Sequence, residues 1–119
     1  MHTLSGTVIH GSHRGSPLGF PTLNLETSDP LPPHGIYAGK ALINGSSYLA
    51  AIHIGPVPVF DDPTPRVEAF ILDFEEDAYG QQVALTCVEK LRDIQNFPTL
   101  PELQKQITLD VARVREILS

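Results

Sequence analysis

A glycine-rich stretch near the N-terminus ends in a hydroxyl and an amide side chain. Gly11 and Gly15 lie within it, and Thr22 and Asn24 stand two residues apart where it ends. Glycine lets a backbone approach a ligand closely with its N–H groups exposed, so this stretch could hold phosphate. Residues two apart on an extended segment face the same side, and their oxygens suit a hard cation such as Mg²⁺. The alternative is an ordinary Gly/Pro loop in which Thr22 and Asn24 satisfy a turn, and no Walker A pattern is present.

Glu68 is an acidic residue inside the otherwise apolar stretch 66–74. Alternation along a strand would put it on one face with Phe70, Leu72 and Phe74. Three large apolar neighbours favour the inward face, where loss of solvent raises the pKa of a carboxyl group. Such a carboxylate is a candidate general base for a hydroxyl. The alternative is that Glu68 lies on the solvent face.

The remaining reactive residue types indicate no second site. Cys87 is the only cysteine, so an intrachain disulfide is excluded, and its alternation with Val and Leu predicts a buried small hydrophobe. Arg92 closely follows a predicted strand and either reaches a ligand or is solvated. Ligand spacing typical of a metal site is absent from the histidines His10, His13, His34 and His53.

Charge is distributed unevenly along the chain. The net charge of −6 disfavours nonspecific binding to nucleic acid or to an anionic membrane. Residues 61–77 contain seven acids and one base, whereas residues 1–25 contain Arg14 and no acid. The glycine-rich end is therefore the natural place for an anion, and the middle of the chain is the natural source of carboxylates.

Five short strands are predicted to position these residues. Their alternation and the turns between them favour a closed antiparallel barrel, and the 119 residues suffice for one domain with one core. Asn44-Gly45 is a strong hairpin signal between two of the strands. The predicted strands cover residues 4–9, 36–43, 48–54, 67–74 and 83–89.

The C-terminal residues change to a helical pattern. Thr99-Leu-Pro-Glu102 has the form of a capping box, with proline in the first turn. Apolar residues then recur three or four apart, which predicts a helix over about 100–118 with one apolar face. That face is expected to cover a face or an end of the barrel. The apolar positions are Leu103, Ile107, Val111, Val114 and Leu118.

Several features bear on the cellular location. No apolar run approaches the roughly 18 residues of a membrane span, and the first residues lack the basic and apolar regions of a signal peptide. The single cysteine suits a reducing compartment. We therefore expect a cytoplasmic protein. Val8 and Ile9 already have strand character, so the abrupt start suggests one module of a longer protein.

These motifs, in this order, resemble the riboflavin kinase family, which includes stand-alone eukaryotic enzymes and the C-terminal module of bacterial bifunctional FAD synthetases. The most specific match is the family's R-G followed by L-G-F-P-T-A-N, which reads Arg14-Gly15 and then LGFPTLN at 18–24. Further similar segments are GIYA at 35–38, IG at 54–55, VE at 67–68, ILDF at 71–74, YG at 79–80 and LR at 91–92. The chain departs from the family at Leu23, where alanine is usual, at Val57 and Val59 in a loop, and at Phe70, where histidine is common.

The resemblance implies a mainly β fold. Its elements would be a six-stranded antiparallel closed β-barrel over about 1–97 and a C-terminal α-helix over about 100–118, together forming a single riboflavin kinase-like domain at 1–119. The implied reaction is transfer of the ATP γ-phosphate to the riboflavin 5′-hydroxyl, which yields FMN and ADP. Phosphoryl transfer requires positioning and charge neutralisation more than covalent chemistry, so a cation, backbone donors and one carboxylate suffice.

The resemblance also implies roles for individual residues. Glu68 would orient and deprotonate the ribityl hydroxyl, and Arg92 would lie near the flavin. Thr22 and Asn24 would bind Mg²⁺ and the nucleotide phosphates. The residues expected to contact phosphate are Gly11, Arg14, Gly15, Pro21, Thr22 and Asn24.

The expected partners are the small molecules ATP and riboflavin, with Mg²⁺ as the cofactor. We expect no nucleic acid and no membrane partner, and we expect a monomer because no long apolar stripe remains exposed once the helix docks. The resemblance does not extend to the FAD synthetase N-terminal module, so no adenylyl transfer is expected from these residues. Two alternatives remain: a non-catalytic flavin- or nucleotide-binding module of the same fold, and an unrelated β-barrel interaction domain.

Overall fold

The computed structural model describes residues 1–12, 22–56, 66–74 and 78–118. Six strands precede one helix in the chain. They are β1 (His2–Ser12), β2 (Thr22–Glu26), β3 (Gly35–Ile43), β4 (Ser46–Gly55), β5 (Arg66–Ile71), β6 (Gln82–Arg92) and α1 (Leu100–Leu118).

The six strands close into an antiparallel barrel in the order β1-β2-β5-β4-β3-β6, and β1 pairs with β6 to complete the ring. This confirms the mainly β fold with a closed six-stranded barrel and a C-terminal helix. Closure removes the free edges that an open sheet of this size would expose. Strand β2 is the one that periodicity did not indicate, because five residues are too few to establish alternation. It pairs with β1 on one side and β5 on the other.

The turn between β3 and β4 is the predicted Asn-Gly hairpin. Asn44 and Gly45 both have left-handed backbone conformations, with φ of 54° and 82°. This conformation at both central residues gives a type I′ turn, whose twist matches that of the flanking strands. The pairing that follows is uninterrupted from Ile43 opposite Ser46 to Gly35 opposite Ile54.

The barrel interior is a packed apolar core. Alternate residues of every strand point inward, and the fully buried side chains include Leu4, Ile52, Ile71 and Leu85. Cys87 also faces inward, as predicted, and burial raises the pKa of its thiol to about 11, so the thiol stays protonated. A core filled in this way leaves the outer wall to carry the chemistry.

Leu23 belongs to this interior. The structure places the leucine side chain, 5% exposed, in the barrel core rather than on the wall. Its cross-strand partners are small, Gly11 on β1 and Ala69 on β5. The extra volume at this position is therefore taken up between small neighbours, as interdigitated packing requires.

Helix α1 packs against the outer wall of the barrel. The Thr99 hydroxyl accepts the Glu102 N–H at 3.4 Å, and the Thr99 carbonyl accepts the Leu103 N–H at 3.2 Å, so Thr99 caps the helix as predicted. The apolar face then covers β3, β4 and the end of β5. The buried cluster there consists of Ala38, Ala51, Phe70, Leu72, Ile107, Val111 and Val114. Among the described residues, no helix is both long and apolar enough to cross a bilayer.

Two arginine–aspartate pairs fasten the helix to the barrel. Arg92 of β6 binds Asp110 of α1 through Nε and Nη2, with Nη2 2.9 Å from Oδ2. Arg115 of α1 binds Asp73, just after β5, with Nη1 3.2 Å from Oδ2. The first pair is enclosed, with 17% and 6% of the Arg92 and Asp110 side chains exposed, whereas the second is open to solvent at 49% and 74% for Arg115 and Asp73.

We predict that Asp110→Asn lowers the free energy of unfolding by about 3–5 kcal/mol, because it leaves an enclosed guanidinium without its counter-charge. Urea denaturation of the purified protein measures the loss. Asp73→Asn is the matched control, since it removes the same charge from the solvent-exposed pair, where the contribution to stability is small. Similar losses for the two variants would contradict the anchoring role of Asp110.

Candidate active site on the outer wall of the barrel

Glu68 lies on the outer face of the barrel, so the inward placement favoured by the sequence is wrong. Strand β5 ends at Ile71, and the inward residues are Val67, Ala69 and Ile71. Phe70 and Leu72 lie on the same face as Glu68. They are buried by α1, which packs against the outside of the barrel. Phe74 returns to the interior because Asp73, at φ 58°, breaks the alternation. The apolar neighbours of Glu68 therefore correctly indicated a buried face, but this face is covered by α1 outside the barrel and does not line the interior.

The strand register brings Glu68 against Asn24. Asn24 of β2 is directly opposite Glu68 of β5, and Glu68 is directly opposite His53 of β4 on its other side. The line continues from His53 to Ile36 of β3 and from Ile36 to Arg92 of β6. We call these five outward residues the outer row. It crosses five of the six strands of the closed ring, so at about 4.8 Å per strand its path around the curved wall is roughly 19 Å long.

The Glu68 carboxylate is half-buried on this wall. Burial raises its pKa, and the positive charge of Arg66 only partly opposes that effect. With the described residues, Glu68 makes no hydrogen bond or ion pair that would commit its oxygens. A carboxylate in this state has the accessibility and the basicity that proton abstraction from a hydroxyl requires.

Thr22 lies two residues from Asn24 on the same strand and faces the same side. Thr22 is buried, at 9% exposed, and it pairs across the sheet with Phe70, which α1 covers. Asn24 is half-buried, so its amide is reachable from solvent. Both side chains offer neutral oxygens, and Glu68 adds a carboxylate beside them. In the ranges that the structure describes, no group of three or more His, Cys, Asp or Glu side chains is placed to hold a metal.

The structure brings together some of the predicted phosphate ligands and leaves others outside its described part. Gly11 lies in β1 opposite Leu23, the residue between Thr22 and Asn24. The predictions for Arg14, Gly15 and Pro21 fall outside the described residues, as do the departures at Val57 and Val59.

Arg92 stands at the far end of the outer row, and its guanidinium is largely engaged. Besides Asp110, it donates from Nη1 to the Asp93 carbonyl at 3.1 Å. Its guanidinium carbon lies 5.7 Å from the centre of the Phe97 ring, within cation–π range. The alternative of a solvated Arg92 is therefore wrong. A ligand at this end would meet the half-buried Phe97 ring and the edge of a fixed guanidinium.

His53 is the member of the outer row that the sequence did not single out. It was grouped with histidines lacking metal-ligand spacing, and only the register shows that it stands beside Glu68. Its Nε2 lies 3.2 Å from the Gly55 carbonyl and 3.1 Å from the Pro56 carbonyl. Burial lowers its pKa; the hydrogen bonds to the Pro56 and Gly55 carbonyls partly oppose that effect, and the charges of Arg92 and His34 add to it. No pattern of residue types along the chain could have revealed this neighbour, because it comes from a different strand.

The raised pKa of Glu68 predicts a pH-dependent stability. An acid whose pKa is higher in the folded state than in the unfolded state is easier to ionise on unfolding. Relative to Glu68→Gln, the wild type should therefore lose stability as pH rises from about 4 through the folded-state pKa, by at most about 1.4 kcal/mol per pH unit. Urea denaturation at a series of pH values measures the difference.

Glu26→Gln, which removes a carboxylate from an exposed position on β2, serves as the control for this series. A stability difference between wild type and Glu68→Gln that stays constant from about pH 4 to about pH 7 would contradict the assigned environment of Glu68.

Comparison with known sequences gives a consistent set of relatives. A family model described as Flavokinase: Riboflavin kinase matches residues 1–118. The bifunctional riboflavin kinase/FMN adenylyltransferase of Bacillus subtilis is 37% identical over 112 residues, covering 90% of this chain and 35% of that protein. The RNA-binding riboflavin kinase RibR of the same organism is 32% identical over 115 residues, covering 96% of this chain and 50% of that protein. The chain thus spans about a third to a half of the length of these curated relatives.

Two solved structures share the architecture. A riboflavin kinase from Trypanosoma brucei superposes with a TM-score of 0.62 at 28% identity, covering 98% of this chain and 78% of that one. A Streptococcus pneumoniae structure described as a macrolide-efflux protein superposes with a TM-score of 0.82 at 32% identity, covering 95% of this chain and 38% of that one. The barrel and the helix are therefore common to proteins with different descriptions.

Proposed function

This chain belongs to the riboflavin kinase family, and from that membership we propose that it transfers the γ-phosphate of ATP to the 5′-hydroxyl of riboflavin. A bond forms between the ribityl oxygen and the γ-phosphorus, and the bond from that phosphorus to the β,γ-bridging oxygen breaks, which yields FMN and ADP. The family match removes the alternative of an unrelated β-barrel interaction domain. No observation on the described residues favours the alternative of a non-catalytic binding module.

The observation that carries this proposal is the pairing of Glu68 with Asn24 on the outer wall. Phosphoryl transfer requires a group that takes the hydroxyl proton beside groups that hold the phosphate and its cation. Asn24 and Thr22 share a face on β2, and Glu68 lies across one strand boundary from them. A hydroxyl next to Glu68 would thus be within one strand spacing of a phosphate held at β2.

Glu68 is the proposed general base. Its carboxylate would accept a hydrogen bond from the 5′-hydroxyl, orient that oxygen toward the γ-phosphorus and take its proton. Burial raises the pKa of Glu68 above that of an exposed glutamate, which increases the affinity of its carboxylate for a proton. No hydrogen bond to a described residue competes for its oxygens.

Thr22 and Asn24 are the proposed ligands of a magnesium ion that accompanies ATP. Their neutral oxygens are of the hard type that Mg²⁺ accepts, and Mg²⁺ is usually held by a few protein groups together with phosphate oxygens and water. When bound, Mg²⁺ would neutralise charge on the β- and γ-phosphates. We also propose that phosphate is contacted at Gly11, Arg14, Gly15 and Pro21, and that Arg92 borders the flavin.

The remaining expectations about partners stay predictions. ATP and riboflavin are the proposed small-molecule substrates. One relative is described as RNA-binding, and this chain covers half of it, so the expectation that these residues bind no nucleic acid is untested. The single-domain organisation, the monomeric state and the cytoplasmic location also remain predictions.

The proposed base is tested by Glu68→Gln, which keeps the size of the side chain and removes its basicity. We expect kcat for FMN formation to fall by about 10²- to 10⁴-fold with the affinity for ATP unchanged. Glu26→Gln is the matched control, because it removes an exposed carboxylate from the neighbouring strand β2. Glu68→Gln with wild-type turnover would exclude Glu68 as the base, and a wild-type protein that forms no FMN would exclude the kinase activity itself.

The proposed magnesium ligand is tested by Thr22→Val, which removes the hydroxyl and preserves the shape. We expect the KM for Mg²⁺-ATP to rise at least about tenfold, since a hydrogen bond or ligand to a charged group is lost, while riboflavin affinity is retained. Thr86→Val, on the outer face of β6 and bonded to Thr3, controls for loss of a hydroxyl elsewhere. Unchanged nucleotide affinity in Thr22→Val would remove Thr22 from the metal site.

A further inference from the structure

The outer row has two chemically different ends with His53 between them. At β2 and β5 it presents oxygen groups, the Asn24 amide and the Glu68 carboxylate. At β6 it ends in Arg92 with the half-buried aromatic ring of Phe97 beside it. Ile36 is buried, so the accessible position between these ends is His53. A ligand with an aromatic head and a polar tail would fit this order of surfaces.

The hydrogen bonds of His53 fix its tautomer. The two main-chain carbonyls that contact Nε2, at 3.2 Å and 3.1 Å, can only accept, so Nε2 carries the proton and donates it. Burial lowers the pKa of the ring, which keeps it neutral near pH 7. Nδ1 is then an acceptor only, and it has no partner among the described residues.

Glu68 and His53 therefore form a pair of neighbouring acceptors. They lie directly opposite each other on adjacent strands, where Cβ atoms are about 4.5–5.5 Å apart. Neither the carboxylate nor Nδ1 can donate, so a phosphate oxygen placed between them would find no donor. A group with several hydroxyls could donate to both, and a polyol is the ligand chemistry that this pair selects.

We propose that His53 contacts the ribityl chain of riboflavin by accepting a hydrogen bond at Nδ1 from one of its hydroxyls. This inference rests on the proposed function, which places the terminal hydroxyl at Glu68. His53 lies one strand spacing from Glu68 and two from Arg92, about 5 Å and about 10 Å along the row. It is thus a specificity-determining residue that distinguishes a flavin carrying a polyol from the bare ring system.

The backbone around His53 keeps its ring in place. Gly55 has φ of 129°, and a Cβ atom there would lie 2.7 Å from Ile94 Cδ1 and 3.0 Å from His34 Cγ. The end of β4 therefore approaches both residues closely, and the Gly55 carbonyl at this point accepts a hydrogen bond from Nε2. The imidazole is thus held through Nε2, and Nδ1 is left as the acceptor atom for a ligand.

The test compares His53→Phe and His53→Gln with the wild type. Fluorescence titration gives the affinity for riboflavin and for lumiflavin, which has the same ring system with a methyl group in place of the ribityl chain. We expect His53→Phe to bind riboflavin about 3- to 10-fold more weakly, as for one lost hydrogen bond, and lumiflavin unchanged. His53→Gln, which retains a donor and an acceptor, should recover most of the riboflavin affinity.

His2→Phe is the matched control, because His2 also bonds a main-chain carbonyl, that of Pro30 at 2.7 Å, and lies outside the outer row. Equal weakening of both flavins by His53→Phe, together with a lower Tm, would overturn the proposal in favour of a purely structural anchor. Unchanged riboflavin affinity in that variant would also overturn it. A wild type that binds riboflavin but forms no FMN would instead contradict the proposed function, and the two failures are therefore distinguishable.

Discussion

The pairing register of β2 with β5 decides which of their side chains fill the barrel and which form the candidate site. It sets Leu23 opposite Ala69 in the barrel interior and, one residue further on, Asn24 opposite Glu68 on the outer wall. Because side chains alternate along a strand, a slip of one residue would exchange these faces and place the carboxylate in the core. The apolar filling of the barrel and the polar pair on its wall are thus fixed by a single alignment. Burial of Leu23 and Ala69 in the same apolar core stabilises that alignment.

The filled interior explains why the candidate site lies outside the barrel. A small closed barrel has room only for its own side chains, so ligands must bind on the wall. Helix α1 covers one part of that wall, with Phe70 and Ala51, and leaves Asn24, Glu68 and His53 of the outer row half-buried beside it. The enclosed pair of Arg92 and Asp110 joins the two parts, because it anchors the helix and ends the row. Arg92 and Asp110 therefore contribute both to the stability of the fold and to the shape of the candidate site.

Features set by residues close together in the chain were predicted well from the sequence. Features set by strand pairing or by packing between distant elements were predicted less well. The Asn44-Gly45 turn and the Thr99 cap are set by neighbours in the chain, and both were predicted from residue types alone. The face on which Glu68 lies was not predicted correctly. Phe70 and Leu72 are buried by a helix that comes about 30 residues later in the chain, and Phe74 follows a break in the strand. His53 was missed for the same reason. Its relevance comes from standing opposite Glu68, which no spacing along the chain encodes.

A crystal structure of the protein with ADP, Mg²⁺ and FMN bound would show where the flavin and the nucleotide lie. We expect the FMN phosphate beside Glu68 and Asn24, the ribityl chain next to His53, and the ring system near Phe97 on the outer wall. Flavin and nucleotide bound elsewhere, for example at the surface between Ser5 and Leu42, would contradict the assignment of the outer row as the site of chemistry.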